Sequence, residues 1–331
     1  MNSTDTNPCS CCLKKTYDTL TIRHHWDHFL ARIGILRSQH RVAPGLYRLG
    51  NPTPTSPVFV TANYTLSFDA LRSHLKGLSA FILVLDTRGI NVWCAAGKGT
   101  FGTWELLNKI KETGLADSIT HRKLILPQLG ATGVSAHTIK KESGFKVEYG
   151  PVRAADIPEY LHTGKASAEM RKVRFTWKDR MVLIPVELKN NLALLLIASL
   201  IFYFIGGWLA VAGITAAALT GLALFPLLLP LLPFPNFSVK GFILGSIPAV
   251  GLGILQFLSK PDLAVGQRIG LSLPYILGIP ALTAFFALNF TGSTTFTSPS
   301  GVRREIYRYI PRMAGMAGIS LLLIILLIFI T

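Results

Sequence analysis

Phe81-Ile82-Leu83-Val84-Leu85, an unbroken apolar run between Ser79 and Asp86, decides the fold class. A strand with one wet face alternates apolar and polar residues. A run without alternation suits a strand covered on both faces, as in a parallel sheet flanked by helices. Working outward, strand-like and helix-like stretches take turns. Residues 57–61 are short, apolar and β-branched, and 68–76 have helical spacing. Downstream, 101–111 predicts a helix with Trp104, Leu107 and Ile110 at three-residue steps on one face. Lys123 to Leu126 reads as a strand closed by Pro127, 135–143 as a helix, and Lys146 to Tyr149 as a strand closed by Gly150-Pro151. A short helix follows over 156–161. Strand, turn and helix in repetition predict an α/β domain with a mostly parallel sheet. Such sheets bind ligands beyond the carboxyl ends of their strands, where the loops converge.

Six residues past the apolar run stands Asn91-Val92-Trp93-Cys94-Ala95-Ala96-Gly97-Lys98. Its Cys94 is the only cysteine outside the extreme N-terminus. The small residues after it let backbone approach a flat partner, and a nearby cation favours thiolate over thiol. On local chemistry alone a packed core cysteine is the favoured reading, since free Cys is among the most buried residue types.

The octapeptide resembles the cap-helix signature of the corrinoid protein of microbial mercury methylation at every position. Val58-Phe59-Val60-Thr61-Ala62-Asn63-Tyr64, Leu126-Pro127-Gln128-Leu129-Gly130-Ala131 and Tyr149-Gly150-Pro151-Val152-Arg153-Ala154 resemble the corrinoid-binding domain shared with the large corrinoid iron–sulfur subunit of the acetyl-CoA pathway. The resemblance covers most of residues 20–331. It implies a cobalamin-type corrinoid held by Thr61, Asn63, Tyr64, the octapeptide Asn91, Val92, Trp93, Cys94, Ala95, Ala96, Gly97 and Lys98, then Gln128, Leu129, Gly130, Ala131, Gly133, Gly150, Pro151 and Val152. Cys94 thiolate is the implied axial ligand of cobalt. Trp93 is expected against the corrin edge, Asn91 at the turn and Lys98 near the thiolate, with Gly130, Ala131, Gly133 and Gly150 forming a shelf for the ring. The implied reaction passes a methyl group from a methyl-tetrahydrofolate-derived donor, through methyl-Co(III), to a Hg(II) thiolate substrate, giving methylmercury. Implied partners are a methyl donor protein or methyl-tetrahydrofolate and, because the chain lacks iron–sulfur spacing of Cys, a small ferredoxin-like protein with two iron–sulfur clusters. A membrane-anchored corrinoid methyl carrier of acetyl-CoA or one-carbon metabolism is the alternative.

Composition divides the chain. Half of its 331 residues are hydrophobic and mean hydropathy is +0.43. Past Asn190 only Lys240, Lys260, Asp262, Arg268 and the cluster Arg303, Arg304, Glu305, Arg308 and Arg312 carry charge. Apolar runs of about 20 residues between them are long enough to cross a bilayer. Five spans are expected at 191–208, 210–232, 241–258, 269–290 and 313–330. Four is the alternative, with Gly206-Gly207 or Gly213 a kink. Basic residues before the first span and in the last loop predict a multi-pass protein of the cytoplasmic membrane with its α/β domain on the cytoplasmic side. The expected organisation is a mobile tail (1–20), a corrinoid-binding domain (21–175), a basic juxtamembrane linker (176–190) and a membrane domain (191–331). No N-terminal signal peptide is read.

Formal net charge is +16, which the membrane flanks explain, and no nucleic-acid motif accompanies it. Few ionisable residues fall inside the spans, which favours an anchor over a transport path. The polar run 289–300 is the part of the membrane domain expected to reach substrate. Cys9, Cys11 and Cys12 sit in a polar tail, as free thiols or a soft-metal site. Gly97-Lys98-Gly99-Thr100-Phe101-Gly102 fits a dinucleotide fingerprint, yet the preceding strand ends far upstream, against that reading. His24, His25 and His28 have helical spacing and suit the polar face of a helix carrying Ile22, Phe29 and Ala31.

Overall fold

A computed structural model describes residues 13–36, 39–290 and 299–328. The chain divides into two compact units: one runs to Ala31 and from Ile35 to Val173, the other comprises Arg32–Gly34 and the chain from Arg174. Cys9, Cys11, Cys12 and most of the polar run 289–300 lie outside the described residues.

The first unit is built on a six-stranded sheet, ordered β1-β2-β4-β3-β5-β6. Its strands are β1 (Lys14–Thr16), β2 (Gly45–Leu49), β3 (Val58–Ala62), β4 (Ala80–Leu85), β5 (Lys123–Leu126) and β6 (Lys146–Tyr149). All pairings are parallel except β2 with β4. The helices are α1 (Ile22–Arg32), α2 (Thr65–His74), α3 (Val92–Lys98), α4 (Thr103–Glu112), α5 (Leu115–Ser118), α6 (Ala136–Ser143) and α7 (Ile157–Thr163).

Every residue of β4 is buried, and the reason is two-sided packing. Phe81, Leu83 and Leu85 join Val58, Val60 and Ala62 in a core covered by α3, α4 and α6. Ile82 and Val84 join Phe59 in a second core covered by α2 and α7. Because successive side chains point to opposite faces, an apolar run is what two cores require.

Three expectations are corrected. On α4 the buried residues are Leu106 and Ile110, one turn apart, while Trp104 is 69% exposed. Residues 14–16, expected in the mobile tail, form β1 beside β2, and the Arg72 guanidinium donates to the Thr19 carbonyl at 2.9 Å. Most tellingly, α1 leaves His25 exposed but turns His28 inward. His28 Nε2 meets Asp69 Oδ2 at 2.7 Å, and His40 Nδ1 meets Asp27 Oδ1 at 2.7 Å. The apolar Ile22 and Phe29 are the exposed residues.

The second unit contains α8 (Trp177–Met181), α9 (Ile184–Leu219), α10 (Phe225–Leu228), α11 (Phe237–Leu258), α12 (Val265–Asn289) and α13 (Pro299–Ile328). Four stretches of it are helices long and apolar enough to cross a membrane: Trp177–Leu231, Phe237–Leu258, Val265–Asn289 and Ser300–Leu327. The first, of 55 residues, is folded back on itself. Gly207 leaves helical geometry at φ 66, ψ −160. Arg180 Nη2 then lies 3.4 Å from the Leu227 carbonyl, and Leu188 and Leu195 pack on Ala218 and Leu222. A straight helix would hold residues 195 and 218 about 35 Å apart. Two buried charges in this unit have backbone partners: Lys240 donates to the Leu229 carbonyl, and Glu305 accepts from the Ser238 N–H.

Candidate functional site

From β3 the chain passes through α2 to β4 on one side, then through α3 and α4 to β5 on the other side of β3. Strand order therefore reverses between β3 and β5, and a crevice opens beyond their carboxyl ends. A cavity of about 410 Å³ occupies it, within the range of small-molecule sites. Its walls are Val60, Thr61 and Tyr64 after β3, Leu126, Pro127 and Leu129 after β5, Gly150, Pro151 and Val152 after β6, and Asn91, Val92 and Trp93 at the start of α3. Leu66, Ser67, Ala70 and Leu71 of α2 and Ile157 of α7 close the floor. These floor residues escaped the sequence reading, because their helical periodicity marks packing as readily as ligand contact.

The octapeptide folds as one short helix. Asn91 stands at its N-cap, its Oδ1 accepting from the Cys94 N–H at 2.9 Å. That satisfies a backbone donor that the first turn otherwise leaves unpaired. Val92, Ala95 and Ala96 are buried; Trp93 and Cys94 are half-buried; Gly97 and Lys98 are exposed. Cys94 is the only cysteine among the described residues and is free. Lys98 lies four residues on, one helical turn beyond it. The fingerprint-like glycines are punctuation between helices, Gly99 closing α3 and Gly102 opening α4.

The loop before Asn91 is held from β3. Asn63 is 1% exposed, and its Oδ1 accepts from the Thr87 N–H, the Thr87 hydroxyl and the Gly89 N–H at 2.8–3.0 Å, while its Nδ2 donates to Asp86 Oδ1. Asn63 thus positions the cap-helix approach and is not on the cavity wall. Gln128 is also turned away, its Oε1 accepting from Arg171 Nη1 at 2.7 Å.

Of the expected shelf, Gly150 alone lines the cavity. Gly133 serves α3 instead: a Cβ there would come within 2.2 Å of the Phe101 carbonyl and 2.9 Å of Ala96 Cα. Gly130 is pressed against the Phe101 ring. Their smallness lets the 128–133 loop touch the cap helix. Cys94, Ala95, Ala96, Gly97, Lys98 and Ala131 are likewise off the cavity wall.

Two titratable groups support this end of the sheet. Burial pushes the Tyr149 phenol upward, and its hydroxyl donates to the Val134 carbonyl. Burial and the neighbouring Glu148 carboxylate push Tyr160 up to about 12. Both phenols are therefore neutral donors at neutral pH.

Residues 36–161 match the family model described as CO dehydrogenase/acetyl-CoA synthase delta subunit. The chain is similar to the acetyl-CoA decarbonylase/synthase complex subunit gamma of Archaeoglobus fulgidus, 34% identical over 127 residues, covering 38% of this chain and 27% of the relative. It is similar to the subunit gamma of Methanopyrus kandleri at 32% over 127 residues, with the same coverage. That of Methanocaldococcus jannaschii is 30% identical over 146 residues, covering 44% of this chain and 28% of the relative. The chain thus spans about a quarter of the length of the curated relatives it matches. The α/β unit is a distant relative of these delta and gamma subunits, and the matched stretch carries the cavity, the cap helix and the Asn63 loop.

Proposed function

We propose that this chain is a membrane-anchored, corrinoid-dependent methyltransferase whose methyl acceptor is Hg(II). The observation that carries the reading is Cys94: a free, half-buried thiol on an Asn-capped helix whose preceding residues line an apolar cavity at the sheet's switch point. The residues fit a cobalamin-type corrinoid. The wall is largely apolar, as a macrocycle face requires, with Thr61 and Tyr64 as polar edges, and the donor set offers one soft thiol rather than an imidazole.

When bound, the corrinoid supplies a cobalt that takes up and releases a methyl group. Cys94 would hold that cobalt as thiolate, a stronger electron donor than imidazole or water. A thiolate donor there would suit transfer of a methyl group with both bonding electrons, the form an electrophile such as thiolate-bound Hg(II) requires. Trp93 would pack against the macrocycle edge. Asn91 fixes the cap, and Asn63 holds the loop that delivers it. Lys98, one turn from Cys94, would favour the thiolate. Methyl-tetrahydrofolate or a methyl donor protein would supply the methyl group, and a ferredoxin-like protein with two iron–sulfur clusters would return the electrons. In the membrane unit the two arms meeting at Gly207 would each cross the bilayer, making five crossings, with the α/β unit on the cytoplasmic side.

A methyl carrier serving acetyl-CoA metabolism is the second reading, favoured by the named complex of the relatives. Cys94→Ala separates the two. The first reading expects purified variant to retain corrinoid, with a changed visible spectrum, and to lose nearly all methyl transfer to Hg(II). Wild-type methylmercury production by Cys94→Ala, at equal protein, would overturn the axial-thiolate mechanism. A wild-type protein that binds corrinoid but never methylates Hg(II) would favour the second reading.

A further inference from the structure

Helix α1 is amphipathic in the opposite sense to a helix packed on a water-soluble domain. With 3.6 residues per turn, Ile22, Trp26 and Phe29 share one face. They are 88%, 60% and 51% exposed, and the Trp26 and Phe29 rings stack at 5.5 Å. Asp27, His28 and Ala31 are turned inward instead, His28 meeting Asp69 and Asp27 meeting His40, while His25 stays exposed. The helix is thus fixed by side-chain hydrogen bonds on its inner side, with its aromatic side outward.

What surrounds the face indicates what covers it. Arg23 and Arg32 flank it and are exposed, while the one carboxylate of the helix, Asp27, is turned in. Aromatic and aliphatic residues bordered by arginine suit the boundary between lipid headgroups and acyl chains. The chain that leaves α1 belongs to the membrane unit: Arg32–Gly34 is counted with it, and Lys189 Nζ, six residues into α9, donates to the Gly34 carbonyl at 3.0 Å. Chain connectivity thus ties the end of α1 to the base of the first membrane arm. A water-facing role would leave Trp26 and Phe29 with no compensation for their exposure.

We propose that α1 is an interfacial helix, its Ile22–Trp26–Phe29 face lying in the headgroup region of the bilayer that this chain spans. The inference rests on the membrane reading of the second unit and not on the methyl-transfer chemistry. It makes the bilayer surface a third support of the α/β unit, beside the linker and α1's side-chain hydrogen bonds.

Photo-crosslinking on the full chain in nanodiscs of anionic phospholipid tests it. p-Benzoyl-phenylalanine is placed singly at positions 26 and 29, at 104 on exposed α4, and at 204 on the first membrane arm, where Phe204 is 79% exposed. All four side chains are exposed, so the replacements leave the cores intact. Lipid adducts at 26, 29 and 204, and none at 104, are expected by mass spectrometry. Adducts to a protein segment at 26 and 29, or no adduct there while 204 labels lipid, would overturn the inference. Absence of lipid adduct at 204 itself would overturn the membrane reading beneath it.

Discussion

Strand β4 and the first arm of α9 are equally apolar and treat their side chains in opposite ways. In β4 every residue from Ala80 to Leu85 is at most 4% exposed. In α9 Leu194, Ile197, Leu200 and Phe204 are 63%, 59%, 61% and 79% exposed. The α/β unit closes two cores around its sheet, removing apolar surface from water. On the proposed membrane reading the second unit has no such need on its outer face, since lipid is as apolar as leucine. Exposure alone therefore has no fixed meaning in this chain; the local solvent gives it one.

The strongest way to break that comparison is to place one charge in each region. Leu83→Asp buries a carboxylate in the core beneath α3, α4 and α6 and is expected to cost more than about 4 kcal/mol, enough to abolish folding of the α/β unit. Leu200→Asp should cost about 3 kcal/mol in membrane insertion and leave the α/β unit folded. Limited proteolysis of both variants in membranes checks this; collapse of the α/β unit in Leu200→Asp would contradict the division.

Charges already buried sharpen the point, and Asp69 of the α/β unit is the clearest case. Asp69 is 1% exposed and lies between His28 and Arg72. Burial pushes its carboxyl up, but hydrogen bonds and charge from His28 and Arg72 together pull it below the usual range. Asp69→Asn, which leaves the Arg72 charge with backbone carbonyls as its only partners, should cost about 3 kcal/mol. It should raise hydrogen exchange across α1. Because the folded value is depressed, the stabilisation is complete above the unfolded value near about 3.9 and is lost as pH falls through the lower folded value. Acid melts should show that limb in wild type and not in the Asn variant.

Glycines in the two units do different work. Gly133→Ala drives a methyl into backbone of α3 and should lower α/β stability by about 1–3 kcal/mol, seen as a lower Tm and a loosened cap helix. Gly207→Ala meets no atom within 4 Å, yet its backbone lies where essentially only glycine resides, a strain of about 1–3 kcal/mol. It should disturb the turn between the arms and spare the α/β unit's Tm. The smallest effect is expected at Gly97, helical, exposed and with open space around it. Gly97→Ala should stabilise α3 by about 0.5–1 kcal/mol. Destabilisation there in the presence of corrinoid alone would instead locate the macrocycle against that face.

Much of the α/β layering was legible in the sequence. β5 and β6 run over the residues the punctuation by Pro127 and Gly150-Pro151 predicts. β1 and β2 were not legible: three and five residues carry no pattern of their own, and the pairing of β2 with β4 and of β1 with β2 decides them. At the candidate site, the loops after β3, β5 and β6 and the octapeptide could be read as converging. Which members face the cavity could not, because Asn63, Gln128, Gly130 and Gly133 are polar or small for reasons of packing that involve residues far away in the chain.

By itself the sequence determined two classes of structure, since the period and continuity of apolar residues reflect the solvent each segment meets. It also determined the presence of a capped, thiol-bearing helix start, because Asn91, Cys94 and the small residues after it act within one turn. Only the tertiary structure decided the strand order that opens the crevice between β3 and β5, the turning of Asn63 into the loop, and the inversion of α1. Those depend on partners distant in sequence: Thr87 for Asn63, Asp69 for His28, His40 for Asp27. A helix's periodicity says that it has two faces; the hydrogen-bond partners waiting for one of them decide which face goes in.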